Sequence, residues 1–136
     1  MANLIFMGTS NFACRTLAAL EQANYKPELI ITRTDSISGR HRQPSMPPVK
    51  KWAAARGLPV WQPININSRE SIAKLRSLAP DLFVVVAYGK ILSKEVLSLP
   101  ALGAINVHAS LLPDLRGAAR LTADLAVLVT DVVEGV

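Results

Sequence analysis

The sequence predicts an open, doubly wound α/β fold, in which a mostly parallel sheet carries helices on both faces. Two observations support this prediction. Apolar segments of strand length alternate with segments of helical spacing along the chain. The most apolar segment, residues 82–87, has no polar position on either face, which is typical of a central parallel strand. With 136 residues, half of them apolar, the chain has the size of one domain, predicted to cover residues 1–136.

The beginning of the chain predicts a strand, a helix and a second strand. Residues 3–8 are an apolar run closed by a glycine, which indicates a buried strand followed by a turn. The polar residues 9–11 offer an N-cap for a helix that ends at Lys26-Pro27. The apolar face of this helix is outlined by Phe12, Leu17 and Leu20. The second strand is predicted over residues 29–32.

A long surface loop is predicted over residues 33–48, because this segment has no hydrophobic periodicity and contains one glycine and three prolines. Between Arg33 and Lys51 there are five basic residues and a single acid, Asp35, so this stretch carries +4 of the net charge of +5. Such a local concentration of positive charge indicates an anionic partner, phosphate or nucleic acid. A solvated basic loop is the alternative.

The middle of the chain predicts two more helices around an edge strand. Pro48 suits a first helical turn and Gly57 suits the exit of the same helix. Residues 58–61 form the edge strand, because a proline cannot donate to a central ladder. Ser68 caps the following helix, which ends before the central strand 82–87. Its apolar face consists of Ile72, Leu75 and Leu78.

The last part of the chain continues the alternation. Tyr88-Gly89 turns the central strand, Ser93 caps a short helix, and Ala104–His108 form the next strand. A final helix is marked by Leu121, Leu125 and Leu128, and another strand is predicted to begin at Val132. The complete pattern is that of a Rossmann-like sheet, in which ligands bind beyond the carboxyl ends of the strands.

Several classes of function lose support from the sequence. The first turn lacks the G-x-G-x-x-G fingerprint of dinucleotide-binding proteins, and no phosphate-binding P-loop motif occurs. The single Cys14 predicts a small buried thiol, and no metal site is expected. No apolar run approaches the roughly 20 residues of a membrane span, and no charged signal-peptide start is present. We therefore expect a soluble, cytoplasmic protein without membrane contact.

Asn106 and His108 are the candidate catalytic residues. If residues 104–108 are extended, the period of two places both side chains on one face of the strand near its carboxyl end. An amide can donate a hydrogen bond to a developing oxyanion, and an imidazole moves a proton near neutral pH. This pair suits acyl transfer. A hydrogen-bonded structural histidine is the alternative interpretation.

The same segment resembles a known signature. Residues 106–113 read N-V-H-A-S-L-L-P, similar to the N-[VI]-H-x-S-L-L-P signature of the folate-dependent formyltransferases. Residues 116–119, R-G-A-A, resemble the continuation found in the methionyl-tRNA formyltransferase family. Segments 5–9, 39–40, 48–50, 57–60 and 84–89 agree, so the resemblance runs from about residue 3 to residue 119.

The resemblance implies formyl transfer from 10-formyltetrahydrofolate to methionine esterified to initiator tRNA. In that reaction Asn106 stabilises the oxyanion and His108 assists proton transfer. The folate pocket is expected to include Ser110, Leu111, Leu112 and Pro113, with a wall from Val86, Tyr88 and Gly89. Arg40 and Arg42 are the candidates for tRNA contacts. Because the folate carries the one-carbon group, no metal is implied.

The chain also departs from the family pattern. Ser36 and Ile37 replace the arginine and proline of the family's usual D-R-P-A-G-R loop, which predicts weaker and looser binding of tRNA. The match fades after Ala119, and the family's catalytic aspartate and carboxy-terminal barrel domain are expected beyond Val136. Asp124 and Asp131 are expected to be solvated helix or turn carboxylates. We therefore expect an incomplete amino-terminal formyltransferase domain, a monomer with folate affinity and little turnover.

Three alternatives remain open at this stage. Phosphoribosylglycinamide formyltransferase shares the N-x-H-x-S-L-L-P core, but its first turn is rich in glycine and residues 8–12 are not. Sugar-nucleotide formyltransferases are less favoured because Gly-Ala-Ala follows Arg116. The third alternative is a catalytically silent fragment that binds folate or tRNA.

Overall fold

The computed structural model describes residues 3–38, 43–107 and 129–132. The strands are β1 (Leu4–Gly8), β2 (Leu29–Ile31), β3 (Ser36–Ser38), β4 (Gln43–Ser45), β5 (Val60–Trp61), β6 (Leu82–Val86), β7 (Ala104–Val107) and β8 (Val129–Val132). The helices are α1 (Asn11–Gln22), α2 (Pro48–Ala55), α3 (Arg69–Ser77) and α4 (Lys94–Leu97). Within the described residues strands and helices alternate as predicted, except that two short strands, β3 and β4, follow β2 directly.

Six of the strands form one sheet in the order β5-β2-β1-β6-β7-β8. The pairs β5-β2, β2-β1, β1-β6 and β6-β7 are parallel, which confirms the predicted doubly wound, mostly parallel architecture. β8 pairs with β7 in the antiparallel direction and begins at Val129 instead of Val132. Asp131 therefore lies in a strand, which corrects its predicted place in a helix or turn. The predicted helix over 121–128 lies outside the described residues.

Short-range capping interactions define the helix ends. The hydroxyls of Ser10, Ser68 and Ser93 accept hydrogen bonds from backbone N–H groups in the first turns of α1, α3 and α4. Pro48 occupies the first turn of α2, and Gly57 follows that helix with a φ of 68°. These positions confirm the capping residues predicted from sequence, because caps depend on neighbours only a few residues away.

Helices cover both faces of the sheet and bury two apolar clusters. On one face, Leu17 of α1 and Val49 of α2 pack with Phe6 and Val84. On the other face, Leu75 of α3 and Val96 of α4 pack with Ile5, Met7 and Phe83. β6 thus contributes Phe83 to one cluster and Val84 to the other. This two-sided burial is the physical reason for its uninterrupted apolar sequence.

The segment predicted as a long loop contains a two-stranded ribbon. β3 and β4 pair in the antiparallel direction, with Ser36 opposite Ser45 and Ser38 opposite Gln43. Ile37 and Pro44 are exposed, so no buried face imposes an alternating pattern on the sequence. A ribbon of two strands also tolerates Pro44, because each strand has a free edge. The predicted tRNA contacts Arg40 and Arg42 lie outside the described residues.

Replacing Leu75 by alanine is expected to lower the free energy of unfolding by about 2–5 kcal/mol. The side chain is fully buried, and the lost methyl groups leave a cavity between α3 and the sheet. Arg76→Ala is the control, because Arg76 is exposed and its contact with Glu95 is a 3.8 Å surface ion pair. Urea unfolding measures both variants. Equal losses for the two would contradict the assignment of this core.

Candidate functional site

The order of the strands creates a switch point between β1 and β6. From β1 the chain runs outward to β2 and β5, and it then returns to β6 on the other side of β1. In open parallel sheets the connections diverge at such a point and leave a crevice at the carboxyl ends of the strands. The segments that reach this edge are Gly8–Thr9 after β1, residues 32–33 after β2, residues 87–89 after β6, and the end of β7.

The hydroxyl of Thr9 connects three of these segments. Its Oγ1 donates to the carbonyl oxygen of Tyr88 at 2.8 Å. The same oxygen accepts longer hydrogen bonds of 3.4 Å from the hydroxyl of Thr32 and from the backbone N–H of Arg33. Thr9 therefore holds the turns after β1, β2 and β6 in one arrangement at the switch point.

The turn after β6 has an unusual backbone. Ala87 and Gly89 have φ values of 49° and 90°, in the left-handed region that favours glycine. Tyr88 between them is only 3% exposed, and burial raises the pKa of its phenol although the nearby Arg33 opposes the shift. A Cβ on Gly89 would lie 2.9 Å from Cδ of Arg33. The absence of a side chain at Gly89 thus allows Arg33 to lie against the turn.

An open cleft of about 480 Å³ lies next to this turn. Its two sides are residues 64–67, between β5 and α3, and residues 89–91, after β6. Ile64 and Ile91 are 89% and 77% exposed, which is unusual for large aliphatic side chains. Asn67 joins the sides, since its Nδ2 donates to the carbonyl of Ile91 at 2.9 Å and its Oδ1 accepts from the N–H of Ser93 at 2.8 Å.

Of the residues predicted for the folate pocket wall, Gly89 lines this cleft. Of these three residues, Val86 and Tyr88 are buried beneath the turn and Gly89 is exposed. Sequence reasoning missed Ile64, Asn67 and Ile91 as lining residues. Ile91 was detectable as an exposed aliphatic residue directly after the predicted turn. No signal pointed to Ile64 or Asn67, because their segment is brought to the turn by the tertiary fold.

Asn106 lies in β7, paired with Val85 of β6. Its neighbours Ile105 and Val107 pack into the cluster beneath α1 and α2. By the alternation of the strand, Asn106 belongs to the opposite face, where Ala104 packs beneath α3 and α4. Ile66 and Leu92 flank the cleft on this same face. The structure thus places Asn106, which is half-buried, near the carboxyl end of β7 on the side of the cleft.

Asp35 anchors the start of the basic segment, residues 33–51. Its carboxylate forms an ion pair with Nζ of Lys50 at 3.1 Å and accepts a 2.7 Å hydrogen bond from Nε2 of Gln62. Nε2 of Gln62 also donates to the carbonyl of Arg33 at 2.9 Å. The hydrogen bonds from Gln62 and Lys50 lower the pKa of Asp35. The chain that enters the β3-β4 ribbon is therefore attached to both β5 and α2.

The remaining predicted site residues lie outside the described residues. They are His108, Ser110, Leu111, Leu112, Pro113, Arg40 and Arg42. The common face of Asn106 and His108 therefore stays a prediction, as do the contacts of the four residues 110–113. Within the described residues, no helix is long and apolar enough to cross a membrane, and no three His, Cys, Asp or Glu side chains cluster as a metal site would require.

Comparison with known proteins identifies close sequence relatives. The profile of a family described as formyl transferase matches residues 1–136. A methionyl-tRNA formyltransferase of Moorella thermoacetica is 52% identical over 116 residues, which are 85% of this chain and 37% of the relative. The enzyme of the same name from Symbiobacterium thermophilum is 47% identical over 136 residues, all of this chain and 41% of the relative. The chain thus spans about two fifths of the curated relatives it matches.

Solved structures agree on the fold. Phosphoribosylglycinamide formyltransferase of Bacillus halodurans superimposes with a TM-score of 0.61, covering 98% of this chain and 73% of that one. A formyltetrahydrofolate deformylase from Burkholderia mallei reaches a TM-score of 0.54, covering 93% of this chain and 44% of that one. At identities of 17% and 20%, these similarities concern the fold alone.

Replacing Thr9 by valine is expected to lower the free energy of unfolding by about 1–3 kcal/mol, because the carbonyl of Tyr88 loses its hydrogen-bond donor. Thr9→Ser keeps the hydroxyl and is the matched control, with an expected loss well below that of Thr9→Val. Urea unfolding measures both stabilities. Equal stability of the valine and serine variants would contradict the role of this hydrogen bond.

Gly89→Ala and Gly57→Ala form a second matched pair, because both glycines have positive φ. Each variant is expected to lose about 1–2 kcal/mol of stability from backbone strain. Only a Cβ at residue 89 meets Arg33, whereas a Cβ at residue 57 meets no atom within 4 Å. Displacing the Arg33 charge favours the neutral phenol, so the pKa of Tyr88 is expected to rise further in Gly89→Ala alone. Spectrophotometric titration of the tyrosines measures this, and equal titration in the two variants would refute the contact.

Proposed function

Because this chain belongs to the formyl transferase family, we propose that it acts in the transfer of a formyl group from 10-formyltetrahydrofolate to the amino group of methionyl initiator tRNA. The observation that carries this proposal is the identity of about half the residues with proteins named methionyl-tRNA formyltransferase. The position of Asn106 near the carboxyl end of β7, on the face of the cleft, is consistent with it. The proposed cytoplasmic location and monomeric state follow from the same reading of the sequence.

The proposed reaction is an acyl transfer between two amines. The amino nitrogen of methionine attacks the formyl carbon, a C–N bond forms, and the carbonyl oxygen becomes an oxyanion. The carboxamide of Asn106 donates a hydrogen bond to that oxygen, where a donor contributes most to the rate. His108 takes the proton from the attacking nitrogen and returns it to N10 of the folate as the second C–N bond breaks. The folate supplies the formyl group.

The cleft beside Gly89 supports the proposed folate site. A folate has a flat heteroaromatic ring joined to a benzoyl group, and both require apolar surface with a few polar partners. Ile64 and Ile91 offer exposed apolar surface on opposite sides of the cleft. Gly89 lines the cleft above the buried Val86 and Tyr88, and the hydrogen bond from Thr9 to the carbonyl of Tyr88 fixes this turn. Residues 110–113 complete the proposed pocket by resemblance.

The basic segment supports the proposed tRNA partner. Phosphate contacts by arginine and lysine supply affinity for nucleic acid without selecting a sequence. Asp35 fixes the entrance to the β3-β4 ribbon through Lys50 and Gln62. Arg40 and Arg42 lie between β3 and β4 in the sequence and are the proposed phosphate contacts.

Formylation of methionyl initiator tRNA by the 136-residue chain tests the proposal directly. Single-turnover conditions with protein in excess detect even slow transfer. The same assay with phosphoribosylglycinamide as the acceptor tests the alternative that the chain is a phosphoribosylglycinamide formyltransferase. Folate-analogue binding without transfer to either acceptor identifies a silent binding fragment. Absence of folate binding contradicts the proposal altogether.

Asn106→Ala is expected to lower the single-turnover rate constant by about 10²–10³-fold, because the oxyanion loses a hydrogen-bond donor. Affinity for a folate analogue is expected to change little, since the donor acts on charge that develops only during the reaction. Gln22→Ala is the control, because it removes an exposed carboxamide from the last turn of α1, which does not line the cleft. A rate constant in Asn106→Ala equal to that of the parent chain would remove Asn106 from the mechanism.

A further inference from the structure

Arg33 occupies a position that the proposed function does not yet use. It follows β2 at the carboxyl edge of the sheet, and its side chain reaches the turn after β6. A Cβ on Gly89 would lie 2.9 Å from Cδ and 3.2 Å from Nη1 of Arg33. Because β1 separates β2 from β6 in the sheet, the side chain of Arg33 must cross the end of β1.

The backbone of Arg33 is held on both sides. Its N–H donates to Oγ1 of Thr9 at 3.4 Å, and its carbonyl accepts a hydrogen bond from Gln62 at 2.9 Å. The side chain of Arg33 lies against Gly89. The preceding residue, Tyr88, accepts a hydrogen bond from the Thr9 hydroxyl at its carbonyl oxygen, so this turn is also held by Thr9. The guanidinium is therefore attached to a rigid edge, in contrast to a lysine or arginine on a free loop.

The positive charge of Arg33 is not neutralised by the acid closest in sequence. The carboxylate of Asp35 is engaged by Lys50 and by Gln62. Within the described part of the chain no carboxylate forms an ion pair with Arg33, and the residue is exposed. An exposed guanidinium with free donors is suited to bind the two oxygens of a phosphate.

We propose that Arg33 binds a backbone phosphate in the single-stranded 3′ tail of the RNA substrate at the switch point. This inference rests on the proposed function, since it assigns one contact of that RNA. β7 is the neighbour of β6 in the sheet, so the turn that Arg33 contacts lies beside the strand that carries Asn106 near its carboxyl end. A phosphate held there guides the aminoacylated end of the RNA towards Asn106.

A phosphate fits this position better than a folate carboxylate does. Arg33 is the first cation of the segment 33–51, in which five basic residues accompany a single acid, and such a concentration of positive charge favours a polyanion. The open cleft has its own cation, Lys90, on its side of the Gly89 turn. A carboxylate on the folate is therefore expected to meet Lys90 before Arg33.

The test compares two RNAs and three variants of the 136-residue chain. One RNA is an acceptor-stem minihelix with its single-stranded 3′ tail, and the other is the same minihelix without the tail. Arg33→Gln removes the positive charge, and Arg33→Lys keeps the charge but lacks the paired N–H donors of the guanidinium. Arg76→Gln is the control, because it removes an equal charge from the last turn of α3, near the amino ends of the strands. Thermal unfolding establishes that all variants are folded.

Arg33→Gln is expected to weaken binding of the tailed RNA about tenfold and to reduce the slope of log K against log salt by about 0.7, the value for one phosphate of a single strand. Binding of the tailless RNA is expected to stay unchanged. Arg33→Lys retains most of the salt slope, and Arg76→Gln alters neither quantity. A further measurement needs no variant. We expect the tailed RNA, but not the tailless RNA, to protect Arg33 from chemical modification by phenylglyoxal.

The contrary outcomes are distinct. Equal losses for Arg33→Gln and Arg76→Gln, or equal losses for the two RNAs, overturn the assignment of Arg33 and leave the proposed function intact. If Arg33→Gln weakens binding of a folate analogue without any change in RNA affinity, Arg33 binds a carboxylate of the folate, and the proposal is also overturned. Failure of the parent chain to bind either RNA overturns this inference and the proposed RNA substrate together, while folate binding tests the remainder of the proposed function.

Discussion

The hydrogen bond from Thr9 to the carbonyl of Tyr88 is the interaction on which the geometry of the site depends. Parallel pairing aligns the ends of β1, β2 and β6, but it does not by itself bring the turns that follow them together. The Thr9 hydroxyl donates to a carbonyl of one of those turns and also receives the N–H of Arg33 and the hydroxyl of Thr32. One side chain therefore determines where three turns meet. A buried backbone carbonyl without such a partner would be costly, which makes this arrangement stable.

The turn after β6 combines a strained backbone with a position beside the cleft. Positive φ values at Ala87 and Gly89 reverse the chain within a few residues, and Tyr88 closes the apolar core beneath it. Without a Cβ, Gly89 allows Arg33 to approach on one side and lines the cleft on the other. The same glycine thus lies between the guanidinium of Arg33 and a cleft lined by Ile64, Ile91 and Lys90. This arrangement fits the two proposed substrates, with an RNA phosphate on one side and a folate on the other.

Most of the scaffold was predictable because its causes are local. Ser10, Ser68 and Ser93 cap helices through contacts within three residues, and the apolar pattern of residues 82–87 reports burial on both faces. The ribbon of β3 and β4 was missed for the opposite reason. The described side chains of the ribbon, Ser36, Ile37, Pro44 and Ser45, are exposed, so pairing left no periodic pattern of burial. The ion pair of Asp35 with Lys50 joins residues that are 15 positions apart in sequence.

The sequence by itself determined the fold class, the family resemblance and the face of β7 that carries Asn106, because alternation and motif spacing are properties of the chain. Only the tertiary structure decided that Arg33 reaches Gly89 and that Ile64 stands opposite Ile91 across one cleft. These pairs depend on strand order, since β1 must lie between β2 and β6 before their turns can meet. No local pattern encodes that order. It follows from how the helices bury both faces of the sheet.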